Sequence, residues 1–137
     1  MKKLIELKEV SRTHGNGDQT RTGLKKVDLT IVAGEMVAII GVSGSGKSTL
    51  MNIMGCLDVP NRGDYYIDGQ NAACLSPDEL ARVRRAHIGF IFQRYHLIPD
   101  LSALGNVEIP AIYAHSERAS RRPRATASLG RQGLDGR

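Results

Sequence analysis

The stretch GVSGSGKSTL, residues 41–50, decides the reading of this chain. Three glycines and two serines lead into one lysine and two hydroxyls, between the apolar runs MVAII (36–40) and MNIMGCL (51–57). Gly41, Gly46, Lys47 and Ser48 satisfy the pattern G-x-x-x-x-G-K-[ST], and each residue type has a physical reason to be there. A backbone that wraps a phosphate closely cannot carry bulky side chains, which accounts for Gly41, Gly44 and Gly46. Successive N–H groups through Val42, Ser43 and Ser45 then point inward as an anion nest. A helix starting near Lys47 adds the positive end of its dipole. Lys47 is the mobile cation for the β- and γ-phosphates. Ser48 offers a hydroxyl to the Mg²⁺ that accompanies a nucleoside triphosphate, and Thr49 follows it. The stretch therefore predicts ATP and Mg²⁺ as cofactors.

Working outward, the two flanks agree with this reading. MVAII is continuously apolar and predicts a strand buried on both faces of a parallel sheet. A helix is predicted from about Lys47 to Leu57. IGFIFQ (88–93) predicts a second buried strand. LIELKEV (4–10) and KKVDLTI (25–31) alternate apolar with polar, the pattern of half-buried strands. The intervening SRTHGNGDQTRTG reads as a loop. YYID (65–68) predicts a short strand. SPDELARVRR opens with Ser76 as N-cap, Pro77 at the first helical position and Glu79 three residues after the cap, a capping box that starts a helix. LSALGNVEIPAIYA (101–114) predicts a helix broken near Pro110. The tail from Ser116 is arginine-rich with small residues and reads as a poor helix or a frayed end.

The composition narrows the function classes. A length of 137 residues suits one ordinary domain. No tryptophan and 4% aromatic residues argue against a base-stacking nucleic-acid platform. The net charge of +5 is concentrated: residues 116–137 hold six arginines against Glu117 and Asp135, and the body is nearly neutral. No nucleic-acid partner is expected. Cys56 and Cys74 lack metal-type spacing and read as reduced, small packing residues. His87, His96 and His115 have no partners at metal spacing. The N-terminus interleaves charges with its apolar residues, unlike a signal peptide. The uncharged runs fall short of the roughly 20 residues a membrane span needs, so any membrane role is expected to go through a partner.

GSGKSTLMNIMGCLD (44–58) followed by FIFQRYHLIP (90–99) resembles the nucleotide-binding domain of ABC transporters. Within that superfamily it is similar to the subgroup of macrolide-exporter and lipoprotein-releasing ATPases. The resemblance runs from about Leu4 to Ala114. It implies an α/β fold of the P-loop NTPase type: an N-terminal antiparallel β part, the first part of a parallel core sheet, and helices. It implies that Gln93, after a core strand, is the Q-loop glutamine that positions Mg²⁺ and the attacking water; read alone, Gln93 is a surface glutamine. It implies that Arg94 to Leu101 receive a cytoplasmic helix of a membrane permease, and that a second ATPase copy dimerises with the first. His14 stands where the family keeps an aromatic that stacks on adenine; its alternative is a plain loop histidine. The location implied is cytoplasmic, peripheral to the inner membrane.

The resemblance also has departures. The LSGGQ-type signature, the acidic pair that holds Mg²⁺ and supplies the general base, and the switch histidine are not matched. GLDGR (133–137) is similar to the segment just upstream of the signature. The chain thus reads as the front part of a longer domain: 1–115 as the N-terminal part of the nucleotide-binding domain, 116–137 as a weakly patterned end. The expectation is an exporter ATPase segment that binds nucleotide without hydrolysing it. Two other readings stay open: a non-catalytic nucleotide- or partner-binding fragment, and another P-loop enzyme such as a small kinase.

Overall fold

The computed structural model describes residues 1–15 and 20–134. Part of the expected turn (16–19) and the end of the GLDGR segment (135–137) lie outside the described residues. The chain divides into two units, Met1–Ile88 and Gly89–Arg137.

The first unit is built on an antiparallel sheet. Strand β1 spans Lys3–His14, β2 Arg21–Val32, β3 Arg62–Ile67 and β4 Gln70–Asn71, in the order β2-β1-β3-β4. Leu7 and Val10 are both buried although three positions apart, which breaks the period-two rule of a strand. A bulge restores the face. The ladder to β2 shifts register between Leu7 and Val10, and Glu9 and Lys26 both adopt φ 47°. The amides freed there find side chains: Glu9 N–H donates to Asp28 Oδ1 at 2.8 Å and Lys26 N–H to Ser11 Oγ at 3.0 Å. In β3 the alternation is regular, with Tyr65 and Ile67 inward.

Two helices cover the inner face. Helix α1 (Lys47–Met54) buries Leu50 and Ile53; α2 (Pro77–His87) buries Leu80 and Val83. With Leu7, Val10, Leu24, Cys56, Tyr65, Ile67 and Ala72 these form one core. The predicted capping box of α2 is present. Ser76 Oγ accepts from Glu79 N–H, and Ser76 N–H donates to Glu79 Oε2 at 2.8 Å. Asp78 and Glu79 in the first turn and Arg84, Arg85 and His87 in the last complement the dipole.

Several expectations are corrected. The loop between β1 and β2 is shorter than SRTHGNGDQTRTG, because β1 continues to His14 and β2 starts at Arg21. Helix α1 stops at Met54, and Cys56 turns left-handed at φ 53°. Residues 36–40 form no strand: Met36 is 98% and Ile40 91% exposed, while Ile39 rests on the core. Residues 88–93 form none either, and Ile91 is fully exposed. A buried strand is defined by the neighbour that takes its N–H and C=O groups. Among the described residues no strand lies alongside either run, so the sheet described is the expected N-terminal antiparallel part, and these two runs are not strands.

The second unit holds α3 (Ala103–Tyr113) and α4 (Arg118–Arg131), which pack on each other. Helix α3 is not broken at Pro110. The proline lies in its last turn, where its missing N–H removes a single bond, and its carbonyl still accepts from Ala114 N–H at 3.0 Å. The tail is a 14-residue helix despite Pro123. Ala125 is buried, and Thr126 and Ser128 donate their hydroxyls back to the Arg122 and Arg124 carbonyls, each at 3.0 Å.

Candidate nucleotide-binding site

The glycine loop folds around its own lysine. Lys47 Nζ donates to the carbonyls of Gly41 (2.8 Å) and Val42 (2.6 Å) and to Ser45 Oγ (3.3 Å). The cation is thus held at the loop, against neutral oxygens that a phosphate outcompetes as an acceptor. Gly44 and Gly46 have φ of 80° and 91°, the alternating left-handed geometry that turns consecutive amides into a nest. Gly46 is the N-cap of α1 and has no side chain to satisfy the first amides of that helix, which stay available to an anion. Its Cα faces β2 so closely that a Cβ would run into the Gly23 carbonyl oxygen. Only glycine fits there.

Gly23, Ser43, Gly44, Gly46, Lys47, Ser48 and Thr49 line one open cavity of about 510 Å³. Of the predicted residues, Ser43, Gly44, Gly46, Lys47, Ser48 and Thr49 line it directly; Gly41, Val42 and Ser45 hold the lysine from behind. A larger depression of about 820 Å³ lies along α4, but one face of a single helix lines it and no groups converge there.

His14, the last residue of β1, comes to the rim of the cavity. Its ring and Thr49 Oγ1 both stand against Gly23: a Cβ there would lie 3.1 Å from His14 Cδ2 and Nε2 and 3.0 Å from Thr49 Oγ1. Gln93 belongs to the second unit, in an exposed bend.

The far end of α1 is anchored in the core. Tyr65 Oη donates to the Met54 carbonyl and Arg84 Nη1 to that of Cys56, both at 2.6 Å. Arg12 grips Asp58 through two bonds, Nε to Oδ2 at 2.8 Å and Nη2 to Oδ1 at 2.7 Å. Last-turn carbonyls and the segment after the helix are therefore fixed to β1, β3 and α2. Burial pushes the Tyr65 hydroxyl and the Cys56 thiol up from their ordinary pKa values, so both stay neutral.

In the second unit the segment between Arg94 and Leu101 is exposed, with the Phe90 and Phe92 rings stacked at 5.3 Å. Asn106 of α3 organises its end. Its Oδ1 accepts from Ile98 N–H at 2.8 Å, and its Nδ2 donates to the carbonyls of Ile98, Leu101 and Ser102 at 3.1–3.2 Å. Gly23, Arg12 and Asn106 escaped the reading of the sequence. Gly23 and Arg12 act across distances in the chain that no local pattern encodes, and Asn106 acts on residues four to eight positions before it.

The ABC transporter family matches residues 24–137. The macrolide export ATP-binding/permease protein MacB of Escherichia coli is 91% identical over all 137 residues, which span 21% of that protein. A protein of the same name from Shewanella sp. (strain W3-18-1) is 58% identical over 134 residues, again 21% of its length. The solved structure of the ATP-binding cassette MJ0796, a dimer in a post-hydrolysis state bound to ADP and Pi, superposes with a TM-score of 0.85 at 46% identity. The match covers 93% of this chain and 56% of that one.

Proposed function

This chain belongs to the ABC transporter family, and from that premise we propose that its 137 residues are the nucleotide-binding portion of a MacB-type macrolide exporter ATPase. One observation carries the reading. The left-handed Gly44 and Gly46, the uncapped start of α1, Lys47 and Ser48 all line one cavity. That donor set fits a triphosphate. The backbone amides of 43–48 bind its oxygens, and Lys47 exchanges the Gly41 and Val42 carbonyls for phosphate oxygens. Ser48 holds Mg²⁺, which when bound neutralises the β- and γ-oxygens. Gln93, in the second unit, takes the Q-loop role that the family resemblance gives it, and His14 stacks on the base.

The reading is binding without turnover. General-base catalysis needs a carboxylate free to reach the attacking water. Several carboxylates of the first unit are already committed: Asp28 and Asp58 as above, Glu79 in its cap, and Asp64 to Asn71 Nδ2 at 2.8 Å. The coupling partners are proposed from the relatives: a permease taken at Arg94–Leu101, at the cytoplasmic face of the inner membrane, and a second ATPase copy, as in the MJ0796 dimer. No helix among the described residues is long and apolar enough to cross a membrane.

The test combines thermal unfolding with and without MgATP and a phosphate-release assay beside Lys47→Ala. A ligand that binds only the folded state at 100 times its Kd stabilises it by about 2.7 kcal/mol. A nucleotide-dependent rise in melting temperature without phosphate release is the expected outcome. No rise contradicts the binding assignment, and turnover above the Lys47→Ala control contradicts its limitation to binding.

A further inference from the structure

Helix α1 is referenced at both ends to one cross-strand pair. Arg12 of β1 lies opposite Leu24 of β2 in the ladder. Leu24 meets the start of the helix: its Cδ2 stands 3.1 Å from where a Cβ on Gly46 would lie. Arg12 reaches past the end of the helix, where its guanidinium takes both oxygens of Asp58 at 2.7–2.8 Å. Asp58 is tied back to the helix, since its N–H donates to the Asn52 carbonyl at 3.2 Å. The two side chains of the pair are each only 22% exposed, and a two-pronged, partly buried ion pair is directional where a surface pair is not. We propose that Arg12 is a positioning residue for the phosphate site: through Asp58 it holds α1, and with it the amide nest at 43–48, at one setting against the sheet. This inference rests on the nucleotide-binding reading above and adds a residue that does not line the cavity but sets its geometry.

The physical reason is the shortness of the helix. Eight residues make a rod of about 12 Å, seated on the core by Leu50 and Ile53. Apolar burial is non-directional, so this seat alone does not fix the tilt of the rod. Direction comes from the polar contacts at its far end: Tyr65 on the Met54 carbonyl, Arg84 on that of Cys56, and Arg12 on Asp58. Arg12 belongs to the strand paired with the one that Gly46 touches, so the start of α1 and the segment beyond its end share one reference. A shift at Asp58 is carried along the rod to the first amides, which hold an anion only while they converge on it. Loss of a merely structural ion pair lowers stability and leaves the affinity of the folded molecules unchanged. Loss of a positioning residue lowers the affinity of molecules that stay folded. It does so equally for a nucleotide and for a bare polyphosphate, because the effect runs through the nest.

The experiment is a titration of the full chain with MgATP and, separately, with inorganic tripolyphosphate and Mg²⁺, for wild type, Arg12→Gln, Asp58→Asn and Arg12→Gln/Asp58→Asn. Urea unfolding of each protein fixes conditions in which it is folded during the titration. Each single change is expected to weaken both ligands about fivefold, in the range of interaction energies between groups in contact, with the two losses equal within about twofold. The double change is expected to add less than about twofold to Arg12→Gln, because both break one link. Asp58→Asn keeps an oxygen for the Val59 N–H, now bound at 2.9 Å, and keeps the test informative if Arg12→Gln does not fold. Unchanged affinity in the folded variants, a loss for MgATP alone, or fully additive penalties in the double variant would overturn the assignment. A wild-type chain that bound neither ligand would overturn the phosphate cavity itself, and the role of Arg12 with it.

Discussion

Tyr65 donates its hydroxyl proton to the Met54 carbonyl at 2.6 Å, so the ring that fills the inner face of the sheet also closes the helix carrying the glycine loop. The contact links the stability of the core to the orientation of the site. Tyr65→Phe keeps the packing and leaves the Met54 carbonyl without this donor. A loss of about 1–2 kcal/mol in urea unfolding is expected, in the range of a buried hydrogen bond. A change below a few tenths would show that water replaces the hydroxyl at no cost.

The apolar runs at 36–40 and 88–93 make a second prediction. Met36 and Ile91 project large apolar side chains into solvent from segments that have no strand beside them among the described residues. Exposed apolar surface next to unpaired backbone favours self-association. The double change Met36→Lys and Ile91→Lys is expected to lower concentration-dependent association in analytical ultracentrifugation. Its unfolding free energy in urea is expected to stay within about 0.5 kcal/mol of wild type, because neither residue belongs to the core. A clear loss of stability would mean that these side chains are packed in solution.

The cap of α2 predicts a pH dependence. Hydrogen bonds from Ser76 hold the Glu79 carboxyl below its ordinary value of 4.5. A group with a depressed folded pKa contributes stability that is fully present above its unfolded value and lost as pH falls through the folded one. Glu6 and Asp68 are lowered in the same way, by Lys3 and Lys2. Wild type is therefore expected to lose stability below about pH 4.5, and Glu79→Gln to lose less over the same window. Parallel pH profiles for the two proteins would show that the cap contributes nothing to the acid transition.

How much of this was legible in the sequence depends on how local the signal is. The glycine loop, the capping box at Ser76–Glu79 and the alternation in β3 are set by residues within one turn or one strand. The runs at 36–40 and 88–93 carry the composition of buried strands, but a strand exists only with a neighbour, and composition does not report the neighbour. In α4, contact with α3 outweighs Pro123, which sequence propensity treats as a breaker. At the site, Lys47 and Ser48 were legible from spacing alone. Gly23 was not: its importance comes from His14 and Thr49 meeting it in space, and a lone glycine in a strand says only that something comes close.

The central claim is that residues 41–49 bind the phosphates of ATP with Lys47 as the cation. A titration of wild type and Lys47→Ala with a fluorescent ATP analogue in Mg²⁺ tests it most directly. The lysine donates only to exposed loop groups, so the variant is expected to fold as wild type does. A charge-assisted bond to a phosphate contributes about 1.5–3 kcal/mol, so saturable binding in wild type should weaken at least about tenfold in the variant. Equal affinity in the two folded proteins would contradict the account.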